Sequence, residues 1–252
     1  MYFELLRPYF VMLLSFRSIP FFFTFICFLL TISIYLSSWV APSDFQQGEN
    51  YRILFIHVPA AWISLLAYIF VTITSIIYLI TKHPLFSLFT QTGCQIGSLF
   101  TLLTLCSGCL WGKPMWGAYW VWDARLTSVL ILFFIYLGAI QFQTISADIA
   151  SLFICIGFIN IPIIKFSVNW WNTLHQPSSI SQFGTSIHIS MLTPILLMFL
   201  CFVLICFLFF FFEIRRYILH HYCFSLNKQI VREALQTILG SGSVKTSKKG
   251  TS

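Results

Sequence analysis

Apolar residues run through this chain in six long blocks, with short polar or glycine- and proline-marked segments between them. The blocks extend from Pro20 to Val40, Ile53 to Ile80, Leu88 to Leu110, Leu126 to Gln141, Ile149 to Lys165, and Ile189 to Phe212. A helix needs about 20 mostly apolar residues to cross a bilayer, and each block meets or approaches that length. The fourth is the shortest and gains if Arg125 and Gln143 are drawn into it. The pattern predicts an all-α integral membrane protein with six transmembrane helices.

Three regions follow: an N-terminal segment 1–19, a six-helix membrane domain 20–212, and a basic tail 213–252. The tail ends in "GSGSVKTSKKGTS", which reads as disordered, after "NKQIVREALQTIL", which reads as a short surface helix. The stretch after Pro20 carries no small-residue cleavage site, so the first block is expected to stay as a span.

Composition supports this. Of 252 residues, 58% are hydrophobic and 8% charged, whereas soluble domains average about 25% charged. The net charge of +7 therefore says more about orientation than about nucleic acid, and no nucleic-acid partner is expected. With six spans both termini share one side, which carries ten of the fourteen Lys and Arg residues. The other side holds only Arg52, Lys113, Arg125 and Lys165. Cytoplasmic-type faces collect basic residues, so the chain is expected to be N-in and C-in.

Under that topology all eight tryptophans fall in the outer half, whereas tyrosines populate both sides. An anchoring belt would use both interfaces. "WGKPMWGAYWVWD", Trp111 to Asp123, is the densest patch. Gly112, Pro114 and Gly117 discourage a helix there, so an outer-face loop is expected. If Trp120-Val121-Trp122 is extended, those two indoles share a face.

Two histidines flank this loop. His57 lies in "RILFIHVPAAW", just ahead of Pro59, where proline favours the first helical turn. His175 lies in "NWWNTLHQP". Imidazoles on either side of an aromatic platform fit an iron porphyrin, whose metal takes axial nitrogen ligands and whose flat ring packs on indoles. Arg52, Lys113 and Arg125 on the same face could meet its carboxylates.

Each residue also has a plainer reading. A lone histidine at a helix start is commonly a hydrogen-bonding group, and His83, His188, His220 and His221 are assigned to that class. Asp123 fits an N-cap of the fourth helix. Arg125 could simply snorkel, and Trp39 and Trp62 could be packing. Among the eight cysteines, Cys106 and Cys109 form "CSGC". It lacks the following histidine of a haem-attachment motif and reads as packing.

"RILFIHVPAAW", "WGKPMWGAYWVWDARLTS" and "PIIKFSVNWWNTLHQP" resemble the haem-handling protein C family of cytochrome c maturation (CcmC, or heme exporter protein C), whose tryptophan loop is its WWD domain. The resemblance extends from Ala41 to His188. It implies an outer-face site built from 51–62, 111–125 and 169–177. There His57 and His175 would be axial ligands of haem iron, with Trp111, Trp116, Trp120, Trp122, Asp123 and Arg125 around the haem. The cofactor would be a b-type haem, non-covalent and in transit. The implied partners, besides membrane lipids, are a haem chaperone and the ATP-binding cassette transporter subunits of the same system.

The likeness is greatest to mitochondrially encoded members. It implies the mitochondrial inner membrane with the site facing the intermembrane space, the alternative being the periplasmic face of a bacterial plasma membrane. No nucleophile or acid–base pair stands out, so a haem-presenting component is expected rather than a self-contained catalyst. The alternatives are a b-type electron-transfer cytochrome and a haem transporter or permease. The first would place histidines mid-span, and the second would place ionisable residues inside the membrane. The six blocks supply little of either.

Overall fold

The computed structural model describes residues 8–170, 175, 180–181, 184–185 and 188–244. Among the described residues seven α-helices follow in order: α1 (Pro8–Tyr35), α2 (Leu54–Thr81), α3 (Pro84–Trp116), α4 (Ala124–Ile145), α5 (Ala147–Gly157), α6 (Asn160–Trp170) and α7 (Ile189–Val244). A two-residue antiparallel pairing joins Ile180–Ser181 to Gly184–Thr185. Among the described residues, six helical segments are long and apolar enough to cross a membrane: Phe16–Val40, Glu49–Thr81, Pro84–Trp116, Ala124–Ile145, Ala147–Ser167 and Ile189–Glu233. The protein is an all-α, six-span membrane protein. In hydrocarbon every backbone polar group needs an internal partner, and a helix supplies one within each span.

The chain divides into two compact units. One comprises Met1–Ser18 with Phe211–Ser252, and the other Ile19–Phe210. In the first, Glu213 pairs with Arg216 one turn on at 2.6 Å. The second holds the core and all the candidate site residues.

That core is built around Tyr68 of α2 and Tyr136 of α4, both fully buried and packed edge to face at 5.3 Å. Their hydroxyls would be costly in an apolar interior without partners. Tyr68 donates to the Ile154 carbonyl at 2.8 Å and Tyr136 to the Ser64 carbonyl at 2.7 Å. Each bond joins two helices. Several smaller hydroxyls are satisfied within their own helix. Thr72, Thr92, Thr101 and Thr104 each donate to the carbonyl four residues back.

α2 and α3 run antiparallel, and three points fix their register. Near one end the hydroxyls of Thr74 and Thr90 meet at 2.9 Å. Next, Gly93 lies against Val71 so closely that an added Cβ would fall 2.5 Å from its methyl. Near the other end, Gly108 lies beside the His57 ring. Four residues after Gly93, Gly97 receives the Tyr136 ring of α4. Small residues at such spacing let membrane helices approach closely. The turn joining α2 to α3 is compact. Lys82 adopts a left-handed conformation (φ 54°), and the His83 ring caps α3 by accepting from the Leu85 amide at 3.2 Å. Lys82 also pairs with Asp148 near the start of α5 at 2.5 Å.

Three expectations about elements are corrected. First, α3 does not stop at Leu110. It continues through Gly112 and Pro114 to Trp116 and ends at Gly117, whose φ of 78° and amide bond to the Lys113 carbonyl close the helix. Pro114 costs one helical hydrogen bond, and so near the terminus the loss is tolerated. Second, the fifth block is α5 plus α6, interrupted at Phe158 and Ile159. Pro162 cannot donate to the Phe158 carbonyl, which accepts from the Ile161 amide at 3.0 Å instead. Third, the helical part of the tail is no separate element, because α7 is continuous to Val244. The end expected to be disordered is thus helical from Gly240 to Val244, and 245–252 lie outside the described residues.

Gly97→Ala would place a methyl carbon 2.1 Å from the Tyr136 ring. Overpacking of this kind costs about 1–3 kcal/mol. A lower midpoint of thermal unfolding in detergent is therefore expected, partly recovered when Tyr136→Leu is added.

Candidate functional site

The site is organised by one end of α3. Successive helical residues turn by about 100°, so Ser107 and Gly108 face one way while Cys106, Cys109 and Leu110 face another. On the first side lies His57, in the first turn of α2. Its Nδ1 is 3.0 Å from Ser107 Oγ. The Ser107 hydroxyl donates to the Leu103 carbonyl at 2.7 Å, so its oxygen is left to accept from the ring. Gly108 makes room: a Cβ there would stand 3.1 Å from His57 Cε1.

Arg125 enters from the first turn of α4. Asp123 precedes that helix as its N-cap, accepting from the Arg125 amide at 2.9 Å. The guanidinium of Arg125 donates to Nδ1 of His175 at 3.3 Å. His57 lies within electrostatic range of both His175 and Arg125. His175, from a segment far away in the chain, thus meets a partly buried arginine, and both act electrostatically on His57.

The tryptophans divide into two edge-to-face pairs. Trp111 and Trp116 meet at 5.2 Å, and the indole of Trp111, on the α3 face that Ser107 shares, donates to Gln47 Oε1 at 3.0 Å. Trp120 and Trp122 meet at 5.8 Å, over the other side of α3. There, with Leu105, Cys106, Cys109, Leu110 and Leu130, they line an open, almost wholly apolar recess of about 670 Å³, a size typical of ligand pockets. Among the described residues, the indole N–H of Trp120 is buried without a hydrogen-bond partner. Trp122 is 80% exposed.

The expected site residues therefore do not form one ring. His175 meets Arg125, which Asp123 helps to place, and both lie within electrostatic range of His57. Trp111 stands on their side of α3, whereas Trp120 and Trp122 face the recess. The two other candidate carboxylate partners are engaged locally. Arg52 binds Glu49 and the Ser37 carbonyl, while Lys113 donates to the Gly117 carbonyl at 3.1 Å and lies over the Tyr119 ring. Trp62 packs edge to face on Phe199 at 5.4 Å. Trp39 is 82% exposed. Trp171 and the other residues of 171–174 and 176–179 lie outside the described residues.

Sequence reasoning missed Ser107, Gly108 and Gln47. In the sequence Ser107 and Gly108 read only as the spacer of "CSGC", and the helical angle between 106 and 107 is the signal that separates their faces. The cysteines themselves are not core packing, since Cys106 is exposed and both line the recess.

A family profile described as CcmC, heme exporter protein C, matches residues 1–229. The chain belongs to the heme exporter protein C family. It is similar to a ccmC-like mitochondrial protein of cytochrome c biosynthesis from Marchantia polymorpha, 68% identical over 222 residues that cover 88% of this chain and 97% of that one. A protein of the same description from Arabidopsis thaliana is 58% identical over 203 residues, 81% of this chain and 79% of that one. The heme exporter protein C of Bradyrhizobium diazoefficiens is 42% identical over 248 residues, 95% and 94% of the two chains. Relatives of this heme exporter protein C family thus include mitochondrial and bacterial proteins.

In this member of the family, the Trp111–Gln47 bond ties the end of α3 to the segment ahead of α2. A hydrogen bond of this kind contributes about 0.5–1.5 kcal/mol. A double-mutant cycle of Trp111→Phe and Gln47→Ala, followed by thermal unfolding in detergent, is expected to return a coupling of that order.

Proposed function

We propose that this chain binds haem at the outer membrane face, with His57 and His175 as axial ligands, and presents it to a haem chaperone for c-type cytochrome maturation. The observation that carries the reading is the contact of His175 with Arg125, both within electrostatic range of His57, beside the tryptophan-rich segment. An iron porphyrin is a flat apolar disc with two carboxylates. Imidazoles would take the iron, and Arg125 would meet a carboxylate. Axial ligands from two different segments can separate, which suits cargo meant to leave. The family, with its members named for heme export and cytochrome c biosynthesis, supports the same conclusion.

Holding both axial positions would keep oxygen from the iron while the porphyrin edge stays open to the chaperone. The haem is non-covalent and b-type while it resides here. Bond formation falls to the chaperone's own side chain, so the chain acts as a presenting component. Release of the loaded chaperone would draw on ATP-binding cassette subunits of the same system. The matching mitochondrial relatives and the balance of basic residues favour an inner-membrane location, both termini inside and the site toward the intermembrane space.

His57→Ala and His175→Ala are each expected to lower the haem retained by the purified protein and to convert a six-coordinate, low-spin absorption spectrum to a five-coordinate one. The double substitution should remove axial ligation by the protein. A full haem complement with an unchanged spectrum in the double variant would overturn the ligand assignment.

A further inference from the structure

The hydrogen bonds at the two histidines have opposite directions, and that asymmetry has chemical content. A neutral imidazole carries one proton, so one nitrogen donates and the other accepts. At His57 the Ser107 proton is committed to the Leu103 carbonyl. Ser107 Oγ therefore accepts from the ring, and the His57 proton sits on Nδ1. This leaves the Nε2 lone pair of His57 available to a metal, the arrangement that a hydrogen bond at the other ring nitrogen fixes in metal-binding histidines.

At His175 the logic reverses. A guanidinium can only donate, so Nδ1 of His175 accepts from Arg125 and the ring proton sits on Nε2. In that form neither nitrogen has a lone pair to offer: one is protonated and the other is occupied by Arg125.

We propose that Ser107 sets His57 as a ready ligand, and that Arg125 holds His175 latched in the opposite tautomer until an anionic group of the incoming cargo draws the guanidinium away. This rests on the reading of His57 and His175 as the axial pair. It adds an order of events, with His57 binding first and His175 second, and it makes Ser107 and Arg125 positioning residues. Carboxylates form stronger, charge-assisted bonds with guanidinium than a neutral imidazole does, so a carboxylate-bearing disc carries its own key. Once Arg125 has moved, the His175 ring gives its Nε2 proton to solvent and takes one on Nδ1. Proton count and charge are unchanged, and Nε2 becomes a ligand. A planar apolar iron complex without carboxylates would meet only His57.

The direct test is ¹⁵N NMR of the full-length, histidine-labelled, haem-free protein in lipid bilayers, with His57→Asn and His175→Asn assigning the two signals. His57 is expected with an unprotonated Nε2 and His175 with an unprotonated Nδ1. The same tautomer at both would overturn the proposal.

The functional arm mixes the protein with ferric haem or with its dimethyl ester, whose carboxylates are blocked, and follows the absorption spectrum. The wild type is expected to reach the six-coordinate, low-spin form with haem but to stop at five-coordinate with the diester. Arg125→Met should restore six-coordination with the diester. Ser107→Ala should lower haem affinity about 10–100-fold, the usual cost of losing a partner behind a ligand. Full six-coordination of the diester by the wild type would sink the latch. Loss of the axial reading would appear differently, as an unchanged haem spectrum in the His57→Ala, His175→Ala double variant. If Arg125→Met does not fold, the NMR result on the unaltered chain still decides.

Discussion

The close, antiparallel contact of α2 with α3 is the constraint on which the rest depends. Hydroxyls meet at Thr74 and Thr90, a methyl meets Gly93 from Val71, and an imidazole meets Gly108 from His57. All three belong to one register, so the contacts that seat the two helices also determine which residue stands behind His57. Lipid gives little reward for burying one apolar side chain against another, so surface fit and hydrogen bonds must hold such helices together. The glycines supply the fit, and Tyr68 and Tyr136 bring α4 and α5 to the same framework through buried bonds to carbonyls.

The site inherits its geometry from this framework. His57 is placed by α2, its acceptor by α3, and Arg125 by the N-cap that Asp123 gives to α4. Only His175 comes from a connecting segment. Three of the four groups thus stand on helices.

How much of this was legible in the sequence depends on the kind of signal. The six spans were, because a run of about 20 apolar residues has few other uses. Asp123 as a cap was legible, since the side chain and the helix start are local to one another. The continuation of α3 to Trp116 was not. Gly112 and Pro114 are locally unfavourable to a helix, but near a terminus their cost is small enough for packing to prevail, as when the Trp111 indole finds Gln47. The break between α5 and α6 follows from Pro162, whose effect lies a turn upstream of the residue itself. Ser107 was hidden because a hydroxyl inside a span is ordinarily absorbed by its own helix. Its donor is indeed so absorbed, and the acceptor side does the distant work. The separation of Trp111 from Trp120 and Trp122 was invisible because it depends on where α3 ends.

α3 keeps a hydroxyl on one flank and thiols on the next, at Ser107 and at Cys106 and Cys109. The stretch from Gly97, locked on Tyr136, to Ser107 consequently behaves as a ruler that cannot be lengthened. One extra residue within it would swing everything beyond by about 100°. The imidazole of His57 would then find the sulfur of Cys106 where an oxygen had stood, exchanging a firm acceptor for a weak one.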